Sequence, residues 1–195
     1  MQLSSRGQGG TRLALSVLAA ILLTGWAQGE LAAQARRLEV MENGRYLQDS
    51  TGKPFFYLGD TAWELFHRLN REESDRYLED RARKGFTVIQ AVLLPTEGGV
   101  DSPNAYGEVP LLDRNPGRPN EAYFRHVDYV LNRAQELGLF VGLLPTWGSY
   151  WKLVGENRIR LFTEESARSY GRFLGNRYRD KPVIWILGGD QNIES

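Results

Sequence analysis

The sequence predicts an α/β fold, the N-terminal half of a (β/α)8 barrel with about four βα units behind a β-hairpin. Three observations lead there. Strand-like and helix-like segments alternate along the chain after residue 44, and such alternation builds parallel strands joined by right-handed helical crossovers. The run Phe86-Thr-Val-Ile-Gln-Ala-Val-Leu-Leu94 is almost continuously apolar, as expected of a strand buried on both faces. Leu93-Leu-Pro-Thr96 returns as Leu143-Leu-Pro-Thr146, so two successive strands break off in the same way, as the units of a barrel do. A complete barrel of this kind takes ~250 residues, more than the 195 present.

In chain order, Met1 to Arg12 is polar with two arginines. The apolar stretch Leu13 to Leu23 after it is shorter than the ~20 residues a spanning helix needs. This is the layout of a secretory signal peptide. Two small-x-small frames come next, Gly25-Trp26-Ala27 and Ala33-Gln34-Ala35. The second fits better, so residues 1–35 are expected to be a cleaved leader and residues 36–195 the mature domain, secreted or periplasmic, with an uncleaved anchor as the alternative. The chain has no cysteine to accept a lipid or form a disulfide.

Arg45 to Gln48 and Phe55 to Asp60 are β-prone runs separated by Asp49-Ser-Thr-Gly-Lys-Pro54, which predicts a hairpin leading into the first main strand. Asn70 and Glu73 have capping-box spacing; the helix they open turns Tyr77, Leu78 and Ala82 inward and ends at Lys84-Gly85. A second helix, from about Asn120 to Leu137, carries Phe124, Val127, Val130 or Leu131, Ala134 and Leu137 on one stripe and feeds a strand from Leu139 to Leu144. A third helix starts at Thr163 with Glu164 and Glu165 in its first turn, where carboxylates suit the helix dipole. It is expected to bury Ala167, Tyr170 and Leu174 and to stop before Asp180-Lys-Pro182, leaving Val183 to Leu187 as the last strand. Pro95 to Pro119 is rich in Gly, Pro, Asn and Asp and too long for a simple connector, so it is either a functional loop or an insertion.

Composition removes several function classes. With 24 basic against 24 acidic residues there is no electrostatic case for nucleic acid or an anionic membrane. Removing residues 1–35 takes away two arginines and one glutamate, leaving 22 against 23. Cysteine-ligated metal sites are excluded, and the two histidines, His67 and His126, share no ligand spacing. There is no Walker-type loop, no G-x-G-x-x-G after a strand and no G-x-S-x-G elbow.

In barrels and open parallel sheets alike, ligands meet the loops at the C-terminal ends of the strands. Those loops hold Gly59-Asp60-Thr61-Ala62-Trp63, Pro95-Thr96-Glu97, Pro145-Thr146-Trp147 and Gly188-Gly189-Asp190-Gln191-Asn192. Indole faces stack on the C–H face of a sugar, amides and carboxylates take its hydroxyls, and a carboxylic acid protonates the leaving oxygen. Gly188 and Gly189 let the backbone approach a ligand closely, which favours Asp190 as the acid. Each residue alone has a bland alternative: Trp63 can simply cover the barrel end, and Asp60 can cap the next turn.

Pro54-Phe-Phe-Tyr-Leu-Gly-Asp-Thr-Ala-Trp-Glu-Leu-Phe-His67, Lys84-Gly-Phe-Thr-Val-Ile-Gln-Ala91, Pro103-Asn-Ala-Tyr-Gly107, Arg118-Pro-Asn-Glu-Ala-Tyr-Phe124, Gly142-Leu-Leu-Pro-Thr-Trp-Gly148 and Ile184-Trp-Ile-Leu-Gly-Gly-Asp190 together resemble the apiosidase-like glycoside hydrolases. The resemblance covers nearly all of residues 44–195. It implies a (β/α)8 barrel acting on plant cell-wall polysaccharide such as apiose-containing pectin side chains, by a retaining two-carboxylate mechanism with no cofactor. It makes Asp190 the acid/base and places Asp60, Trp63 and Trp147 in the sugar subsite. Glu97, Asn104 and Gln191 complete the substrate-binding candidates. The implied partner is a carbohydrate, with no nucleic acid and no membrane once the leader is removed.

Such barrels carry the nucleophilic glutamate after a much later strand. A retaining mechanism needs it roughly 5 to 5.5 Å from the acid/base, and the resemblance assigns that role to no residue up to Ser195. The chain is therefore expected to be a catalytic domain cut after its fourth strand and inactive as given, its C-terminal barrel half belonging to the complete protein. The alternative is a non-catalytic half-barrel that binds carbohydrate or serves a structural role.

Overall fold

The computed structural model describes residues 37–95, 98–152 and 160–189. The chain divides into a unit of residues 1–35 and one of residues 36–195, and every described residue belongs to the second. It opens on a small antiparallel hairpin in which β1 (Leu38–Val40) pairs with β2 (Leu47–Asp49). The predicted hairpin is present in shortened form, Gln48 bridging to Pro54 with the Asp49 amide donating to Lys53 O at 3.0 Å and the Phe55 amide to Leu47 O at 2.7 Å, and β1 adds an upstream partner on the other edge of β2. At its tip, Asp49 Oδ1 accepts from the Thr51 and Lys53 amides and the Thr51 hydroxyl, closing an Asx turn.

β3 (Gly59–Thr61), β4 (Val88–Val92), β5 (Phe140–Leu144) and β6 (Val183–Trp185) form one parallel sheet in the order β3-β4-β5-β6. Strands consecutive in sequence are neighbours throughout, the winding of a barrel; a doubly wound sheet would reverse its order. The crossovers are α1 (Leu65–Arg68) and α2 (Arg71–Arg83), then α3 (Glu121–Glu136), then α4 (Ser149–Lys152) and α5 (Glu164–Arg177). The fold is α/β, a half barrel behind a hairpin. β3 begins four residues later than predicted: Phe55 to Leu58 lie outside it, with the Leu58 carbonyl accepting from both the Thr87 and Val88 amides.

The predicted helix starts are realised as hydrogen bonds. Asn70 accepts from the Glu73 amide at 2.9 Å while its own amide donates to Glu73 Oε2 at 3.0 Å. Asn120 accepts from the Ala122 amide, and Thr163 exchanges bonds with Ser166. Such caps are worth ~1 kcal/mol each. The α3 stripe is buried as its spacing predicts, but Ala167 of α5 is exposed. The helix turns Tyr170, Phe173 and Leu174 inward instead, because the larger rings fill the seam against α3.

The two faces of the sheet differ. Ile89, Ala91, Val141 and Leu143 join the core beneath the helices. Strand side chains alternate, so Gln90 and Gly142 point to the opposite face, which in a barrel is the lumen. There Gln90 Nε2 donates to the Tyr57 hydroxyl at 3.0 Å.

The repeated Leu-Leu-Pro-Thr has a structural counterpart. Where β4 and β5 break, carbonyls lose their ladder partners and tyrosine hydroxyls replace them: Tyr123 donates to Leu93 O at 2.8 Å, Tyr150 to Pro95 O and Tyr170 to Pro145 O. Burial pushes the Tyr150 hydroxyl up to about 12 and raises those of Tyr123 and Tyr170 as well. All three keep their hydrogens at neutral pH, and a buried carbonyl stays paired.

Candidate active site

Trp63 lies beyond β3 and Trp147 beyond β5, and the half-buried indoles meet edge to face, ring centroids 5.3 Å apart at 66°. Gly189, beyond β6, lies flat against the second ring: a Cβ there would stand 2.9 Å from three carbons of Trp147. This contact is the reason for glycine at the position. Three strand ends thus converge on one aromatic platform, and the residue after Gly189 is Asp190. Asp190, Gln191 and Glu97 lie outside the described residues.

Asp60 does not join this platform. It pairs in register with Ile89 and so faces the helices, where Tyr77 donates to Oδ2 at 2.8 Å and Arg81 Nε pairs with the same oxygen. Burial would raise its carboxyl, but Tyr77, Arg81 and the Thr61 amide outweigh this and hold it below its ordinary value. The pair is structural, fastening α2 to β3, and the expected place in the sugar subsite is corrected accordingly. A carboxyl depressed by folding contributes stability above its unfolded pKa of ~3.9 and loses it as pH falls further. Asp60→Asn is therefore expected to cost about 2 kcal/mol at pH 7, a gap to wild type that closes below about pH 4. Urea melts at pH 7 and pH 3 check this; an equal gap at both would refute it.

Asn104 is buried and also turned to structural use. Its Oδ1 accepts from the Tyr106 and Glu108 amides at 2.9 and 3.0 Å, which closes the turn 104–108 in the long loop. His126 donates Nε2 to Leu69 O at 3.0 Å, and burial holds its imidazole below the ordinary value. Among the described residues no group of three or more His, Asp and Glu side chains is placed to hold a metal ion.

Two cavities flank Glu64, the residue after Trp63. One of about 370 Å³ is lined by Trp63, Glu64, Leu65, Arg68, Leu69 and Tyr77, and one of about 290 Å³ by Glu64, His67, Arg68, Gly98, Ser102 and Pro103. Glu64 and Arg68 line both. An indole beside a carboxylate, a guanidinium and a hydroxyl has the chemistry to stack a sugar ring and bond its hydroxyls.

The model of the apiosidase-like catalytic domain matches residues 41–195. The chain belongs to this family. No curated protein matches the chain. Among solved structures, the apiosidase-like chain is similar to a glycoside hydrolase at 35% identity, TM-score 0.67, over 80% of its own length and 34% of that protein's. It is similar also to a glycoside hydrolase family 5 protein from Bacteroides vulgatus at 36% identity, TM-score 0.69, over 79% and 32%. It thus spans about a third of the length of each. An endo-1,4-β-mannanase from Rhizomucor miehei, at 13% identity and TM-score 0.51 over 75% and 46%, shares the fold.

Sequence reasoning passes over two residues of this apiosidase-like site. Glu64 is absorbed into a motif read for Asp60 and Trp63, and His67 is weighed only as a metal ligand. The available signal is their i,i+3 spacing, which puts an acid and an imidazole on one face of a helical turn.

Proposed function

We propose that the chain is the acid/base-bearing part of a secreted retaining glycosidase that cleaves O-glycosidic bonds in plant cell-wall polysaccharide, such as apiose-containing pectin side chains. The observation that carries this reading is the Trp63–Trp147 platform on which Gly189 rests, in a chain of the apiosidase-like family. Asp190 donates its proton to the leaving oxygen as the bond to the anomeric carbon breaks. A second carboxylate roughly 5 to 5.5 Å away attacks that carbon, and Asp190 then takes a proton from the water that frees the sugar. The indoles stack the ring and exclude water on one side. The resemblance assigns the nucleophile's role to none of this chain's carboxylates, so the purified chain is expected to bind sugar without turning it over.

The test is a tryptophan-fluorescence titration of the purified chain with methyl β-D-apiofuranoside and methyl α-D-galactopyranoside, beside a hydrolysis assay on the 4-nitrophenyl glycosides. Saturable quenching that Trp147→Ala weakens at least about tenfold, one base-on-aromatic contact's worth of affinity by analogy, supports the reading. A wild-type chain that binds neither sugar overturns it. Turnover that survives Asp190→Asn overturns the acid/base assignment.

A further inference from the structure

His67 is 5% exposed and tied to three elements at once. Its Nδ1 lies 3.0 Å from the Tyr123 hydroxyl, which lies 2.8 Å from Leu93 O. A carbonyl only accepts, so the single tyrosine hydrogen is spent on Leu93, and the bond to His67 needs its hydrogen on Nδ1. On the other side of the ring, Nε2 stands 2.9 Å from Glu64 Oε2 in a bent contact. The contact is too bent for a hydrogen bond in this geometry, and it is an ion pair when the imidazole carries a hydrogen on both nitrogens. Glu64 thus lies against an imidazole that Tyr123 of α3 anchors to the end of β4. The remaining groups near the imidazole are Arg68 on its own turn, His126 on α3 and Ser102 of the long loop.

This arrangement orients Glu64 from behind. Its side chain is 17% exposed, it lines both cavities, and it is the residue directly after Trp63. At about 290 Å³ the polar cavity is near the ~300 Å³ lower bound for small-molecule pockets, room for one sugar ring. We propose that Glu64 is a hydroxyl-binding residue of a sugar subsite on the wall between the two cavities, with His67 and Tyr123 as its positioning residues. This rests on the carbohydrate reading above and adds a binding carboxylate distinct from Asp190. A carboxylate oxygen accepts more than one hydrogen bond, so Glu64 can take a sugar hydroxyl while in contact with His67, and the ligand class is a monosaccharide unit.

The test uses ¹⁵N NMR of the two histidines in the full chain, with His67→Gln assigning the signals. The expected result is a hydrogen on Nδ1 of His67, an Nε2 signal that moves in Glu64→Gln, and movement of both on adding methyl β-D-apiofuranoside. Glu64→Gln, folded by circular dichroism, should raise the dissociation constant about tenfold or more, as loss of a charge-assisted bond does. Tyr123→Phe should shift the imidazole signals and weaken binding by a smaller factor. Glu64→Gln that binds sugar as wild type does overturns the subsite and leaves the carbohydrate reading standing, as does an Nδ1 without hydrogen for the positioning chain. A wild-type chain that binds no sugar overturns both.

Discussion

Phe124→Ala is expected to destabilise the chain by about 4 kcal/mol, the middle of the range for deleting a buried ring. Phe124 is fully buried on α3. It packs edge to face against Phe173 of α5, centroids 4.9 Å apart, and against Tyr123 at 5.5 Å. Arg177 lies 5.9 Å from its centroid and 5.5 Å from that of Phe173, and is held there by Glu121 and Asp128 of α3 at 2.6 to 2.9 Å. These two acids raise the Arg177 guanidinium above its ordinary value, and Arg177 lowers the Glu121 carboxyl below its own. Alanine removes the ring on which both the aromatic seam and the cation rest, and close-packed neighbours refill such a void only in part. Leucine keeps most of the volume and should cost about 1 kcal/mol. Urea denaturation at pH 7 reads both through the midpoint at unchanged slope. A loss below about 1 kcal/mol for alanine would place the closure of the core elsewhere than the α3–α5 seam.

Gly142→Val is expected to cost about 3 kcal/mol, the upper part of the range for overpacking, although valine is the better strand former. A Cβ at this position would stand 2.9 Å from Ile186 Cδ1, 3.2 Å from Gln90 Cγ and 3.2 Å from the Tyr57 hydroxyl. Alanine displaces the tip of Ile186 and makes Gln90 and the Tyr57 hydroxyl give slightly, a smaller adjustment. Valine's two further carbons must push apart the Gln90–Tyr57 pair on the lumen face. Thermal melts of the Ala and Val variants separate the two effects. If valine stabilises the chain as strand propensity alone suggests, the lumen face is looser than its contacts indicate.

Much of the fold is legible in the sequence because its determinants are local. Asn70 with Glu73, Asn120 and Thr163 mark helix starts through capping bonds that reach no farther than three residues, and the α3 stripe comes from helical spacing. The β1–β2 pairing is not legible in the same way. β1 (Leu38–Val40), which pairs with β2, sits next to the expected leader in sequence and carries no strong β signal. Spacing alone turns Ala167 inward, but Tyr170 and Phe173 satisfy the same seam better. In the site, the motifs of Trp63 and Trp147 lead to the platform. Asp60 stands in the same motif but in register with a helix-facing residue, and nothing in its neighbours along the chain tells which of the strand's two faces it takes.

Element types, their order, the caps and the family motifs are set by residues within a few positions of one another, and they can be read before the chain is folded. The direction of Asp60, the seating of Gly189 on Trp147, the close packing around Gly142 and the link from His67 through Tyr123 to Leu93 depend on residues 29 to 85 positions apart in sequence or on which face a strand presents. Those contacts exist only once parallel strands have taken their register, because a shift of one residue would turn every side chain to the other face.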